Sequence, residues 1–64
     1  MTVNGENRKL PGRISLSEFL MGEGFQTERI AVERNGEIVP KSSYGHTVLE
    51  EEDRLEIVNF VGGG

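Results

Sequence analysis

Ile30-Ala31-Val32-Glu33-Arg34-Asn35-Gly36-Glu37-Ile38-Val39 carries the clearest structural signal in the chain. Apolar and β-branched residues flank an Asn-Gly pair, and Asn-Gly is the preferred loop of a type I′ hairpin because both positions accept positive φ. The segment predicts two antiparallel strands. Pro40 has no N–H to donate and ends the second of them. Upstream, Ser15-Leu16-Ser17-Glu18 has the S-x-x-E spacing of a capping box. Leu16, Phe19 and Leu20 then fall at i, i+3 and i+4 and form one apolar stripe. Gly22 and Gly24 are natural stops, so the helix should run roughly two to three turns, with Phe25 folding back against it. Before it, Pro11-Gly12 breaks the chain. Thr2-Val3 and Arg8-Lys9-Leu10 flank Asn4-Gly5-Glu6-Asn7, the composition of a first, weaker hairpin.

Downstream of Pro40, Lys41 to Thr47 reads as a polar connection with an isolated Tyr44. Val48-Leu49 follows, then Glu50-Glu51-Glu52-Asp53 as a solvated acidic corner, then a last strand from Arg54 to Val61. The order hairpin, helix, hairpin, final strand suits a sheet wrapped around one helix. This is the α+β class, in a ubiquitin-like β-grasp arrangement with a mixed sheet of about four to five strands on one main helix. By analogy with that fold, the last strand should lie parallel to the first in mid-sheet. Residues 1–61 are expected to form the domain and Gly62-Gly63-Gly64 a flexible tail.

Composition narrows the chemistry. Sixty-four residues leave no room for a second core or a large enclosed active site. Without cysteine there is no disulfide, no thiolate metal site and no side-chain persulfide. A net charge of -4 disfavours nucleic acid and anionic membranes as partners and favours a protein with a basic face. Met1-Thr2-Val3-Asn4 does not resemble a basic segment leading into an apolar leader, and the apolar runs are short. A soluble cytoplasmic protein is expected.

Side-chain catalysis is hard to assemble from these residues. His46 is the only histidine, and between Gly45 and Thr47 it reads as a solvated loop residue. Ser15, Ser17, Ser42 and Ser43 have no nearby histidine with a following carboxylate. The run from Glu50 to Asp53 lacks the spaced Asp, Asn and Gly of a calcium loop, so no metal site is expected. Gly22-x-Gly24 stands at a helix end, the wrong place for a phosphate cradle.

The terminus is left. Composition alone leaves open that Gly62–Gly64 is only a frayed end. Its alternative role is chemical. A C-terminal carboxyl with a pKa of ~3.5 is an anion at neutral pH and resists nucleophilic attack. Joined to AMP it becomes a mixed anhydride that a sulfur nucleophile can open, leaving a thiocarboxylate. Glycines without Cβ make a narrow arm that fits between the walls of another protein's active site. Gly64 is then the reacting residue, with Gly62 and Gly63 threading it into place.

From Asn35 onward the chain resembles the thiamine-biosynthesis sulfur carriers, the ThiS family. The resemblance rests on Asn35-Gly36-Glu37-Ile38-Val39-Pro40-Lys41, on Tyr44, on Asp53-Arg54-Leu55-Glu56-Ile57-Val58, and on Phe60-Val61-Gly62-Gly63-Gly64. It covers roughly the last half of the chain and implies a β-grasp fold. It also implies ATP- and Mg-dependent adenylation of Gly64 by an E1-like adenylyltransferase, with no cofactor bound by the carrier itself. A sulfur donor such as a cysteine desulfurase would supply the thiocarboxylate sulfur, and thiazole synthase would receive it. Where Glu52 stands, the family leads one to expect Gly and a tight turn before Asp53. Rival readings are the small subunit of molybdopterin synthase, a protein-conjugating modifier, and a ubiquitin-like interaction module with an inert tail.

The last strand also suggests a docking surface. If Leu55 and Ile57 point to the helix, alternation sends Glu56, Val58 and Phe60 to the other face. Val58 and Phe60, with Val61, would form an apolar partner-binding patch rimmed by acidic residues. A twist or bulge that returned Phe60 to the core is the alternative.

Overall fold

A computed structural model describes residues 1–60. In chain order its elements are β1 (Thr2–Val3), β2 (Glu6–Asn7), α1 (Leu16–Gly22), β3 (Ile30–Arg34), β4 (Glu37–Ile38) and β5 (Arg54–Asn59). Single 3₁₀ turns sit at Thr27–Arg29 and Lys41–Ser43. The strands form one mixed sheet in the order β2-β1-β5-β3-β4. β5 lies in the middle, parallel to β1 through Thr2↔Arg54 and Val3↔Leu55, and antiparallel to β3 from Ile30↔Asn59 to Arg34↔Leu55. This is the expected ubiquitin-like β-grasp sheet.

Both hairpins turn as the Asn-Gly pairs predict. Asn4 and Gly5 have φ of 51° and 86°, and Asn35 and Gly36 have 54° and 88°. Positive φ at both central residues is the type I′ geometry, whose twist matches that of the flanking strands. The two asparagine side chains also hold β5. Asn4 bonds the Ile57 backbone, and Asn35 Oδ1 accepts from the Arg54 N–H at 2.9 Å.

The capping box forms in full: Ser15 Oγ accepts from the Glu18 N–H and Glu18 Oε1 accepts from the Ser15 N–H, both at 3.0 Å. The remaining free donors of the first helical turn are met by the 41–49 connection. Leu16 N donates to the Thr47 carbonyl and Ser17 N to that of Tyr44. This N-terminus is therefore closed to an outside anion. Leu16, Phe19 and Leu20 pack on Val3, Ile30, Val32, Leu55 and Ile57 from the inner face of the sheet, with Tyr44 and Leu49 completing the core. Leu16, Leu20, Ile30, Val32 and Leu55 are wholly buried, and each contributes about 1.5–3 kcal/mol.

Several sequence expectations need correction. Tyr44 is not isolated: the 3₁₀ turn before it directs its ring into the core, and burial raises its pKa. Asp53 is not solvated. It is the one buried charged residue among the described residues, and it accepts from Arg34 Nε at 2.9 Å, Asn35 Nδ2 at 3.1 Å and the Glu50 N–H at 2.9 Å. Burial by itself raises its pKa, but these hydrogen bonds and the Arg34 charge outweigh burial and hold the carboxyl below its usual value. The turn before it closes through Asp53 N to the Glu50 carbonyl at 3.0 Å, and Glu52 has no positive φ, so glycine is not required there.

Arg8-Lys9-Leu10 is not a strand arm. β2 ends at Asn7, Arg8 pairs with Glu23 at the end of α1, and Leu10 packs against the core. β4 stops at Ile38, although Val39 N still reaches the Val32 carbonyl at 2.9 Å. β5 stops at Asn59, where its partner β3 begins.

Candidate functional site

The outer face of the sheet is built by alternation and register. Leu55 and Ile57 of β5 face the helix, so Glu56 and Val58 face away. Val58 is 59 % exposed and stands opposite Ala31 of β3. One step along, Glu56 stands opposite Glu33, and Glu33 in turn stands opposite Ile38 of β4, which is 70 % exposed. Two like charges directly opposite on neighbouring strands destabilise a sheet. Here they lie between apolar side chains, which gives the face an acidic centre with Val58 and Ile38 on either side.

Beyond Val58 the chain reaches Phe60, which is 54 % exposed and does not return to the core. Its N–H donates to the Arg29 carbonyl at 2.7 Å, one contact past the last β3–β5 pair. The neighbouring carbonyls of Thr27 and Ile30 receive a lysine. Pro40 and the 3₁₀ turn at Lys41–Ser43 bring Lys41 back beneath β3, where Nζ donates to the Thr27 carbonyl at 2.8 Å and the Ile30 carbonyl at 2.6 Å. That ammonium is 5.9 Å from the ring centres of both Tyr44 and Phe60.

Among the described residues no nucleophile–base pair forms. Ser15 Oγ is committed to the helix cap, and His46 is exposed, with its backbone N–H donating to the Ser43 carbonyl. No group of three or more His, Cys, Asp or Glu among them is placed to hold a metal ion. Arg34, Asn35 and Asp53 tie the β3–β4 turn to the start of β5, the end remote from Phe60. Their arrangement is structural.

Of the residues singled out from the sequence, Val58 and Phe60 are surface residues on successive outward positions of the last strand and its extension. Val61, Gly62, Gly63 and Gly64 lie outside the described residues. Sequence reading missed Ala31, Ile38 and Lys41. Ile38 was legible, because a two-residue Asn-Gly loop pairs Glu33 with Ile38 and so sets Ile38 on the Glu56 side of the sheet. Lys41 carried no such signal, since its contacts come from a turn and from segments distant in sequence.

Comparison with known proteins gives concordant matches. A family model described as "ThiS family" matches residues 1–64. Over 62 residues the chain is 45% identical to a thiazole synthase of Magnetococcus marinus, an alignment that takes in 97% of this chain and 19% of that protein. The chain thus spans about a fifth of that relative's length. It is 38% identical over 50 residues to the sulfur carrier protein ThiS of Bacillus subtilis, covering 78% of this chain and 76% of that one. The crystal structure of the thiamine biosynthesis protein (ThiS) from Geobacter metallireducens superposes with a TM-score of 0.81 at 32% identity, covering 98% of this chain and 96% of that chain.

Proposed function

Because the chain belongs to the ThiS family, we propose that it is a sulfur carrier of thiamine biosynthesis, acting through the C-terminal carboxylate of Gly64. The observation that carries this reading is the family match, which runs through the whole domain and its glycine end. A carboxylate oxygen of Gly64 attacks the α-phosphorus of ATP in the active site of an E1-like adenylyltransferase, which holds the Mg, and pyrophosphate leaves. The outer sulfur of a persulfide on a donor such as a cysteine desulfurase then attacks the acyl carbon, and AMP leaves. A thiol cleaves the resulting acyl disulfide, releasing the thiocarboxylate as the thiol is oxidised to a disulfide. This chain is the substrate in each step and supplies no catalytic group.

The sulfur acceptor is thiazole synthase. Support comes from the relatives of that name, in which a sequence like this whole chain is contained within a longer one. The outer face of the sheet, with Val58 and Phe60 and joined by Ile38 and Ala31, docks the adenylating enzyme, and Val61 to Gly64 enter its active site. Apolar side chains around an acidic pair fit a partner surface that is apolar with basic residues. No helix among the described residues is long and apolar enough to cross a membrane, and the proposed site of action is the cytoplasm.

The test is intact mass after incubation with ATP, Mg, sulfide and the cognate adenylating enzyme. Replacement of one oxygen by sulfur supports the carrier. A covalent adduct to a second protein would instead mark a modifier, and an unchanged mass an interaction module. Deleting Gly64 should abolish the shift.

A further inference from the structure

The 3₁₀ turn at Thr27–Arg29 and the first residue of β3 carry three carbonyls that later segments of the chain occupy. Two groups take them: Lys41 Nζ holds those of Thr27 and Ile30, and the Phe60 N–H holds that of Arg29. Lysines on a protein surface ordinarily leave the ammonium in water. This one is gripped by two backbone oxygens at 2.8 and 2.6 Å while its charge faces the rings of Tyr44 and Phe60. Tyr44 is fixed in the core, so the lysine bridges an immovable ring to an exposed one.

We propose that Lys41 is a positioning residue for the reactive terminus: by holding the Thr27–Ile30 carbonyls and the Phe60 ring together, it fixes the point at which the chain leaves the sheet. The inference rests on the sulfur-carrier reading. Four residues separate Phe60 from the end of the chain, and fully extended they reach roughly 14 Å. With so short an arm, the place of its root decides whether the carboxylate meets ATP. A root released at Phe60 moves back along β5, lengthens the tether and dilutes the terminus at the reacting phosphorus. Lys41 touches neither ATP nor the carboxylate in this account. It acts through Phe60.

The experiment compares the full chain with Lys41→Met, which keeps the apolar stem, and Lys41→Arg, which keeps a cation with hydrogen-bond donors. Amide exchange by NMR reads the anchor, and ATP–pyrophosphate exchange with the cognate adenylating enzyme reads its effect. In Lys41→Met the Phe60 amide should exchange at least about tenfold faster, with Leu55 and Ile57 as slow as in wild type, showing an intact sheet. The kcat should fall about fivefold or more while KM for the carrier stays within about twofold. Lys41→Arg should restore both. Unchanged exchange at Phe60, an unchanged kcat, a loss carried by KM, or no recovery with arginine would each overturn the proposal. If the wild-type chain is not adenylated at all, the sulfur-carrier reading falls and this inference with it. If wild type and Lys41→Met react equally, only the inference falls.

Discussion

The carboxamide of Asn4 pairs with both backbone groups of Ile57: Nδ2 donates to the carbonyl at 3.2 Å, and Oδ1 accepts from the N–H at 2.7 Å. β1 ends at Val3, one residue earlier, so the side chain continues the β1–β5 ladder after the backbone has turned away. Asn35 does the equivalent at the other edge of β5, where its Oδ1 meets the Arg54 N–H. One residue type thus satisfies two demands, a positive φ in the turn and a partner for the central strand.

Asn4→Ala should therefore lose both bonds and strain a φ of 51°, at a cost of about 2–3 kcal/mol. Asn4→Gly relieves the strain but not the loss, and should cost about 1–2 kcal/mol. Urea denaturation of the three proteins checks the order. Equal midpoints would show that the side-chain pairing adds nothing.

Asp53 predicts an acid limb. Its folded pKa is lowered, so its stabilising effect is fully present above the unfolded carboxylate value of ~3.9 and is lost as pH falls through the folded value. Asp53→Asn should be about 1–3 kcal/mol less stable than wild type at neutral pH, with the difference shrinking in acid. Denaturation at pH 7 and pH 3 measures this. A gap that stayed constant would remove ionisation of Asp53 as the cause.

On the outer face, Val58→Asp and Ile38→Asp each place a charge on an exposed position. Stability should fall by about 1 kcal/mol or less, for Ile38→Asp through repulsion from Glu33 opposite it, while affinity for the adenylating enzyme falls roughly tenfold or more. Calorimetric titration decides, and undiminished affinity in both variants would discard this face as the docking surface.

Glu33→Gln separates stability from recognition. Removing one member of the Glu33–Glu56 pair should stabilise the domain by about 0.5 kcal/mol. It should also slow association with the adenylating enzyme at low salt and flatten the salt dependence. Stopped-flow association rates would expose the opposite trend if the acidic centre plays no part in the encounter.

What could be read from the sequence was local. The Asn35-Gly36 turn, the Ser15–Glu18 cap and the Leu16, Phe19, Leu20 stripe are each encoded within a few neighbouring residues, and all appear in the structure. The outward position of Val58 and Phe60 followed from alternation. Tyr44 and Asp53 were misread because their burial is set by partners far along the chain. Tyr44 enters the core from a 3₁₀ turn that also closes the N-terminus of α1, and Asp53 is drawn in by Arg34 and Asn35. The end of β5 was placed too late because strand length depends on the neighbour, and β3 begins only at Ile30.

The central place of β5 has a mechanical meaning. Tension applied at Phe60, as the proposed entry of the terminus into an enzyme would apply it, runs along the strand, while the ladder bonds to β1 and β3 lie across it. Such a load shears many bonds together and does not peel them one at a time. In the proposed function, a partner that pulls at this end works against the domain as a stiff handle.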